Sequence, residues 1–250
     1  MPEDQIKVEL LRNFGNDLDV VNAARVSFDK QSKWAEEPVV YSNGEAAVVY
    51  GRYVLSEKDT KLISYLAKHK HYSPFGHCFA RLRITAPVFV CRQLVKHEYL
   101  RMNEVSRRYV DTPPEFYTPD MWRGRAVDKK QGSNGIVDLS RYYVKMGTTL
   151  NTDIEGTLRE LVTGVTSLTS QLYDVVVANG VAPEQARMIL PLSMMTSWWW
   201  SGSLDAFANM CKLRLKEDTQ YETRLVAQQI SEYMSDLYPV SWGALINETD

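Results

Sequence analysis

The stretch from Cys91 to Tyr109, which reads CRQLVKHEYLRMNEVSRRY, places the strongest constraint on what this chain can fold into. Cationic and imidazole side chains surround two acids there, Glu98 and Glu104; they are Arg92, Lys96, His97, Arg101, Arg107 and Arg108. So many cations are poorly suited to a hydrophobic core and well suited to holding an anionic ligand. The alternative is a solvated helix face with salt bridges to the two acids. Ser106 and Arg108 stand two positions apart, so in an extended segment they would face the same side, which favours ligand binding.

The remainder of the chain provides no general attraction to nucleic acid. Its formal net charge is -2 over 250 residues, so any anion must be bound by a local cluster. The three cysteines show no CxxC spacing, which argues against a disulfide framework and a zinc site. The N-terminus has acids where a signal peptide has basic residues, and no apolar run approaches the roughly 18 residues of a membrane span. We therefore expect a cytoplasmic protein that is neither exported nor embedded in a membrane.

Hydrophobic periodicity predicts a mixture of strands and helices. Strands are expected at residues 6–13, 79–87 and 193–202; helices are expected at residues 18–28, 56–70, 88–100, 139–179 with a break near 151–156, 183–190, 204–215 and 219–238. Asp17 is placed as the N-cap of the first helix, and Ser56 as that of the second. Residues 29–51 and 111–136 lack clear periodicity and are expected to be irregular insertions, with disorder near residues 129–134.

Common signatures for metals and nucleotides are missing. His69, His71 and His77 fall close together, but Ser73, Pro74 and Gly76 interrupt them and no HExxH occurs, so no metal site is predicted. His71 and His77, which flank a proline turn, remain open between turn packing and ligand contact. Neither GxGxxG nor GxxxxGKS is present, so phosphate binding would use side-chain cations and N–H groups of loops or helix ends.

Several blocks of the sequence, in order along most of the chain, together resemble the flavin-dependent thymidylate synthases. HYSPFGH is similar to the family's GHxTPFEH, and the signature RHR, seven residues, then Ser appears here as KHE, seven residues, then Ser106. The spacing of the surrounding block is identical from Arg92 to Tyr109. AARVSFD, EQARMILPL, NMCKLRL and QYE resemble further motifs of the family.

The resemblance implies an α/β (α+β) fold, in which one domain over residues 1–250 has a central antiparallel sheet flanked by helices. The implied dUMP contacts are Gln93, Glu104, Ser106, Arg107, Arg108, Arg187 and Arg214. The implied FAD contacts are His71, Ser73, Lys96, His97, Glu98, Asn103, Glu104 and Asn209. Arg108 and Arg187 are the natural phosphate partners. The catalytic residues would be Arg214, a cation against the uracil, and Ser106, a substrate contact and not a nucleophile.

The resemblance also implies the reaction and the partners. The product would be dTMP, made from dUMP with 5,10-methylenetetrahydrofolate as one-carbon donor and with hydride from FAD that NADPH reduces. The family forms homotetramers whose subunits share active sites, and no obligatory nucleic acid is implied. Two alternatives stay open: a related flavin and folate enzyme acting on another pyrimidine nucleotide, for example by hydroxymethylation, and a single-strand-binding module that stacks bases on Tyr99 and Tyr109.

The chain departs from the family pattern at several positions. Lys96 and Glu98 replace arginines, and Arg107 replaces a glycine beside the serine. Our hypothesis is that Arg101 or Arg107 supplies the cation lost at Glu98. In addition, Ser203 and Asp205 stand where the family has Asn and Arg, which alters part of the flavin contact set.

Overall fold

The computed structural model describes residues 5–42, 47–110, 112–127, 132–147 and 153–247. In chain order, the strands are β1 (Lys7–Phe14), β2 (Ala35–Ser42), β3 (Ala47–Val54), β4 (Phe79–Pro87), β5 (Arg101–Glu104), β6 (Trp122–Arg125), β7 (Ser133–Val137), β8 (Tyr143–Gly147), β9 (Asp153–Thr157) and β10 (Met195–Ser203). The helices are α1 (Asp17–Arg25), α2 (Glu57–Lys68), α3 (Val88–Leu94), α4 (Leu158–Ala178), α5 (Pro183–Ala186), α6 (Leu204–Arg214), α7 (Tyr221–Leu237) and α8 (Pro239–Ile246).

A four-stranded antiparallel sheet in the order β1-β4-β10-β5 forms the centre of the molecule. Side chains alternate along its strands, so Leu82 and Ile84 of β4 are buried while Arg81 and Arg83 are exposed. On β10, Trp198 and Trp200 are buried with them in the main core, to which residues of α6 and α7 also contribute. The predicted α+β fold with a central antiparallel sheet is confirmed. Hairpins β2–β3, β6–β7 and β8–β9 form separate two-stranded sheets.

Most predictions based on strong periodicity are confirmed. The predicted strands correspond to β1, β4 and β10, and the helices expected from residues 56, 204 and 219 correspond to α2, α6 and α7. The helix expected over residues 183–190 is α-helical only at Pro183–Ala186 and continues as a 3₁₀ turn, Arg187–Ile189. Ser56 caps α2, because its side chain accepts a hydrogen bond from the Asp59 amide. Gly180 follows α4 with a positive φ of 85°, which a glycine adopts without strain.

The predicted cap of the first helix is wrong by one residue. Asn16 is the N-cap of α1, and its side chain accepts hydrogen bonds from the amides of Leu18 and Asp19. Asp17 is buried and caps a different helix, since its carboxylate accepts from the Val240 and Ser241 amides at the start of α8. A local pattern could not reveal this contact between the two ends of the chain.

The two segments predicted to be irregular insertions contain regular structure. Residues 29–51 include β2 and most of β3, and residues 111–136 include β6 and most of β7. Both are hairpins whose strands pair with each other and not with the central sheet, so burial on one face of that sheet does not impose alternation on their sequences. Of the region in which disorder was expected, residues 129–131 lie outside the described residues, whereas Ser133 and Asn134 belong to β7.

Two predicted helices are too long. Of the described residues between 139 and 179, only Leu158–Ala178 are α-helical, and those described before them form a short 3₁₀ turn and the paired strands β8 and β9. The start of α4 is fixed by a capping box between Thr157 and Glu160. The helix predicted over residues 88–100 ends at Leu94. The chain then turns through Tyr99, whose φ of 62° is incompatible with a continuing helix.

One helix bears on the expectation that no apolar run approaches the length of a membrane span. Helix α4 has 21 residues and is apolar enough, by length and composition alone, to cross a membrane. Its valines and leucines are interspersed with polar residues, and its longest uninterrupted apolar run is the four residues 175–178. Very little of α4 is buried within the chain.

Candidate active site

The cationic stretch runs from the end of α3 through a turn into β5 and a second turn. Two buried leucines anchor the first turn, Leu94 on α3 and Leu100 just before β5. Gly202 of β10 provides the room for this packing, because a Cβ atom there would collide with the Leu100 side chain. The turn between the leucines therefore holds Lys96, His97 and Glu98 at the edge of the central sheet.

A cavity of about 430 Å³ lies between this turn and the loop that joins α6 to α7. Its lining includes Gln93, Lys96, Gly132, Leu213, Arg214, Lys216, Asp218, Thr219 and Gln220. Three cations and one acid give the lining a net positive charge, which suits an anionic ligand. The structure thus brings Gln93, Lys96 and Arg214 together, all three of which the sequence indicated.

Arg214, the last residue of α6, connects two parts of the signature. Its Nε donates a hydrogen bond to His97 Nε2 at 2.9 Å, and its Nη2 donates to the Gln93 carbonyl at 3.3 Å. Burial, and then the Arg214 cation, lower the pKa of His97 to about 4. Burial also lowers the pKa of Arg214, although a guanidinium remains charged in proteins. Arg214 therefore provides the cavity with a fixed cation that is hydrogen-bonded to a neutral imidazole.

The Gln93 side chain is held by the first residues of α7. Its Oε1 accepts a hydrogen bond from Thr223 Oγ1 at 3.1 Å, and its Nε2 donates to Gln220 Oε1. Gln220 Nε2 in turn donates to Glu222 Oε2 at 3.2 Å. Glu222 is buried and forms an ion pair with Arg123 of β6, whose Nη2 lies 2.6 and 2.7 Å from the two carboxylate oxygens.

Glu104 lies beside a buried thiol. The carboxylate accepts a hydrogen bond from Thr196 Oγ1 at 2.9 Å. Burial, together with the negative charge of Glu104, raises the pKa of Cys91 to about 12. Burial raises the pKa of Cys78 to about 12 as well, and raises that of Cys211. All three cysteines are buried and unmodified thiols, so none has the lowered pKa of an activated nucleophile.

Ser106, Arg107 and Arg108 form a turn, so the expectation of an extended segment is wrong: the Tyr109 amide donates back to the Ser106 carbonyl. Ser106 and Arg108 still meet, because Ser106 Oγ accepts from the Arg108 backbone amide at 3.3 Å and from its Nε at 3.4 Å. The Arg108 guanidinium stacks on the Tyr109 ring. Arg107 donates to the carbonyls of Val110 and Thr112.

The other predicted contacts lie elsewhere on this chain. Arg187 is exposed in a 3₁₀ turn after α5, where its Nε donates to the Glu184 carbonyl. Exposed His71 and Ser73 occupy the turn after α2, close to α6, which carries Asn209. Asn103 is exposed on β5, opposite Trp199 of β10. In the described part of the chain, no group of three or more His, Cys, Asp or Glu residues is arranged to hold a metal ion.

Sequence reasoning missed the residues that surround Gln93. Glu222 and Gln220 belong to QYE, which resembles a motif of the family. The resemblance assigned no role to either side chain, although this motif could have indicated both as site residues. Thr223 follows it directly. Arg123 lies on the hairpin that was interpreted as an irregular insertion, and no sequence signal links it to Glu222.

The fold and the cavity define an α+β protein with a cationic site at one edge of its central sheet. Residues 9–240 match the model of a family described as thymidylate synthase complementing protein. The chain is 32% identical over 237 residues to a flavin-dependent thymidylate synthase of Thermus thermophilus, covering 95% of this chain and 74% of the relative. It is 30% identical over 240 residues to that of Kosmotoga olearia, covering 96% and 90%. The chain therefore belongs to this family.

Solved structures show the same fold. The UMP/dUMP methylase PolB from Streptomyces cacaoi, bound with 5-Br dUMP, superposes with a TM-score of 0.69 at 26% identity, covering 96% of this chain and 93% of that one. PolB bound with 5-Br UMP gives a TM-score of 0.66 at 24% identity, covering 96% and 92%.

Proposed function

We propose that this protein is a flavin-dependent thymidylate synthase that converts dUMP to dTMP. The observation that carries the proposal is the contact of Arg214 with both His97 and Gln93, in a cationic cavity formed by the family signature. The sequences of the relatives and the fold of the methylase support the same reaction. A single-strand-binding module is not favoured, because no relative named here is such a module.

Four side chains have defined tasks in this proposal. Gln93 and Arg214 contact the uracil, where the guanidinium stabilises the negative charge that develops on the ring during activation. Ser106 and Arg108 form the second part of the nucleotide site, with Arg108 as a phosphate partner. Glu104 and Arg107 are further contacts carried over from the family.

The flavin site requires a large set of polar groups, and the chain provides one. Apart from His97, which is half-buried, the proposed FAD contacts are exposed on the surface of the chain; they are His71, Ser73, Lys96, Glu98, Asn103, Glu104 and Asn209. Their imidazole, hydroxyl, amide and ammonium groups suit the pyrophosphate, ribose and ring edges of a dinucleotide. Bound FAD, reduced by NADPH, would supply a hydride, and 5,10-methylenetetrahydrofolate would supply the one-carbon unit.

The thiols support a route without a cysteine nucleophile. A covalent adduct at C6 of the pyrimidine requires a thiolate at neutral pH. The pKa of Cys91, the cysteine closest in sequence to the signature, is raised to about 12 by burial and by Glu104. Activation of the ring would therefore depend on bound cations, Arg214 foremost.

The exposed contacts also support a site shared between subunits of a homotetramer. Neither Arg187 nor His71 lines the cavity around Arg214, so neighbouring subunits can complete one another's sites. Helix α4 presents an exposed apolar stripe that could form such a contact: Val162, Val165, Leu168, Leu172 and Val175. We place the protein in the cytoplasm, where dUMP, the folate and NADPH are available.

The decisive experiment is identification of the product. The protein is incubated with FAD, NADPH, 5,10-methylenetetrahydrofolate and dUMP, and the nucleotide is analysed by mass spectrometry. We expect the mass increase of one CH2 unit, because a methyl group replaces a hydrogen of the pyrimidine; unchanged dUMP would contradict the proposal. A parallel reaction with UMP tests the second candidate, which is favoured by the similarity to a UMP/dUMP methylase. A hydroxymethylated nucleotide would instead identify the protein as a related flavin and folate enzyme.

A further inference from the structure

The side chain of Gln93 is one end of a line of hydrogen bonds that leaves the cavity and reaches the β6–β7 hairpin. From Gln93 the line passes to Gln220, then to Glu222, and ends at Arg123 on β6. Gln220 also lines a second cavity, of about 480 Å³, whose lining includes Glu222 and Arg123. These polar side chains thus form part of the wall between the two cavities.

The chemistry of the groups gives this line a direction. A carboxylate can only accept hydrogen bonds, so Glu222 requires the amide nitrogen of Gln220 to face it. The side-chain oxygen of Gln220 then faces Gln93, so Gln93 must donate a hydrogen bond from its side-chain amide nitrogen. The Gln93 oxygen is left facing the Thr223 hydroxyl, 3.1 Å away. Each amide in the line therefore has one orientation that satisfies both of its neighbours.

Gln220 has no other task that would explain its side chain. It is the N-cap residue of α7, a position where a short side chain normally accepts from the backbone, yet its side chain makes no capping hydrogen bond. Glu222 has an alternative explanation, because a negative charge in the first turn of a helix interacts favourably with the helix dipole. However, it is buried, and a buried carboxylate requires the cation and the donors that Arg123 and Gln220 provide.

The hairpin is held closely enough to fix Arg123. The Arg123 guanidinium stacks on the Tyr221 ring with its carbon 4.8 Å from the ring centroid. Gly132, just before β7, approaches the backbone of the α6–α7 loop, where an added Cβ atom would lie 3.4 Å from the Cα atom of Asp218. The φ of Gly132 is 87°, which disfavours residues with a side chain at this position.

We propose that Arg123, Glu222 and Gln220 are positioning residues that hold the Gln93 amide in one orientation for the pyrimidine. This inference rests on the proposed function, in which Gln93 contacts the uracil of dUMP. The remaining N–H of Gln93 and the free lone pair of its oxygen are then presented to the ring in a fixed arrangement. Preorganisation of this kind increases affinity, because no rotamer freedom is lost when the nucleotide binds.

The first test breaks the line at one link. Gln220→Leu removes the contact with Gln93 but leaves the ion pair of Arg123 with Glu222 in place, so the variant is expected to fold. We expect the Kd for dUMP, measured calorimetrically on FAD-loaded protein, to rise about tenfold, the effect of roughly one hydrogen bond. The Kd for FAD should be unchanged. Arg125→Ala, an exposed residue on the same strand, is the matched control and should bind dUMP normally.

The second test uses the direction of the line. Glu222→Gln removes the carboxylate, which can only accept hydrogen bonds. The side-chain amides of Gln220 and Gln93 can then each rotate by about 180°, which exchanges their oxygen and nitrogen atoms. The double variant Gln220→Glu/Glu222→Gln keeps the net charge and moves the carboxylate one link closer to Gln93, so that Gln93 must again present its nitrogen. We expect weaker dUMP binding in Glu222→Gln and recovery of most of the affinity in the double variant. A purely structural role of Glu222 would give no recovery.

The third measurement separates this inference from the proposed function. The side-chain amide resonances of Gln93, assigned with Gln93→Leu in ¹⁵N-labelled protein, should shift in Gln220→Leu and Glu222→Gln but not in Arg125→Ala. Unshifted resonances, unchanged dUMP affinity in Gln220→Leu, or no recovery in the double variant would overturn the inference. If the wild-type protein bound no dUMP while the resonances shifted as expected, the proposed substrate would be wrong and the orientation of Gln93 would stand.

Discussion

Nε of Arg214 lies 2.9 Å from Nε2 of His97, and this hydrogen bond joins the end of α6 to the turn of the family signature. Since a guanidinium only donates, Nε2 of His97 must carry a lone pair, and a neutral imidazole then has its proton on Nδ1. The Arg214 cation also disfavours a second proton on the ring. His97 therefore offers one N–H donor, on Nδ1, at neutral pH.

The first prediction concerns acid stability. Unfolded His97 takes up a proton below about pH 6.5, whereas folded His97 does so only near its pKa of about 4. Between these values the unfolded state binds more protons, so the free energy of unfolding falls as the pH is lowered from 6.5 to 4. We expect His97→Gln to show a smaller decrease in Tm over this range than the wild type. The exposed His69→Gln is the control, and identical pH profiles for wild type and His97→Gln would contradict the prediction.

The second prediction separates charge from geometry at Arg214. Arg214→Ala removes the cation and both hydrogen bonds, so we expect kcat to fall by about 10²- to 10³-fold, as for loss of one oxyanion-stabilising group. Arg214→Lys retains the charge but cannot reproduce the two-sided contact with His97 and the Gln93 carbonyl, so its loss should be intermediate. Steady-state kinetics with dUMP provide the measurement. If Arg214→Ala changed only KM, Arg214 would be a binding residue alone.

The third prediction concerns the cation that the signature lacks at Glu98. Arg107 donates to the carbonyls of Val110 and Thr112, so it is engaged in its own loop. Arg101 is exposed on β5, two residues before Asn103, and β-strand geometry places both on one face of the sheet. We therefore expect Arg101→Ala to weaken FAD or dUMP binding more than Arg107→Ala does. The compensation hypothesis fails if neither variant changes either Kd.

How far the sequence predicted the structure depended on whether an element contacts the core. β4 and β10 alternate because one face is buried, and α2 and α7 have apolar stripes for the same reason. The hairpins β2–β3 and β6–β7 pair only with themselves, so no alternation revealed them. In the site, Gln93 and Arg214 could be located through the signature, but Arg123 could not, because its contact with Glu222 joins positions 99 residues apart.

The fourth prediction tests the cap that Asp17, at the start of α1, provides for the first turn of α8. Asp17 is 3% exposed, and its two carboxylate oxygens accept from the Val240 and Ser241 amides at 3.0 and 2.9 Å. Asp17→Ala leaves two N–H groups of α8 without partners, one buried and one part-buried, which should lower the free energy of unfolding by about 2 kcal/mol. Denaturant unfolding measures the change. Asp236→Ala, an exposed site on α7, should alter it by less than about 0.5 kcal/mol.

The last prediction concerns the exposed stripe on α4. Leu168 and Val175 are 61% and 56% exposed, and with Val165 and Leu172 they are spaced three and four residues apart, which places them on one face of the helix. If this face is a subunit contact, Leu168→Lys/Val175→Lys buries two charges against a neighbour, which strongly disfavours association. We expect light scattering to detect a tetramer for the wild type and a smaller species for the variant. Thr163→Lys, at an exposed position on the other side of α4, should remain tetrameric. A tetrameric double variant would exclude the stripe as an essential contact.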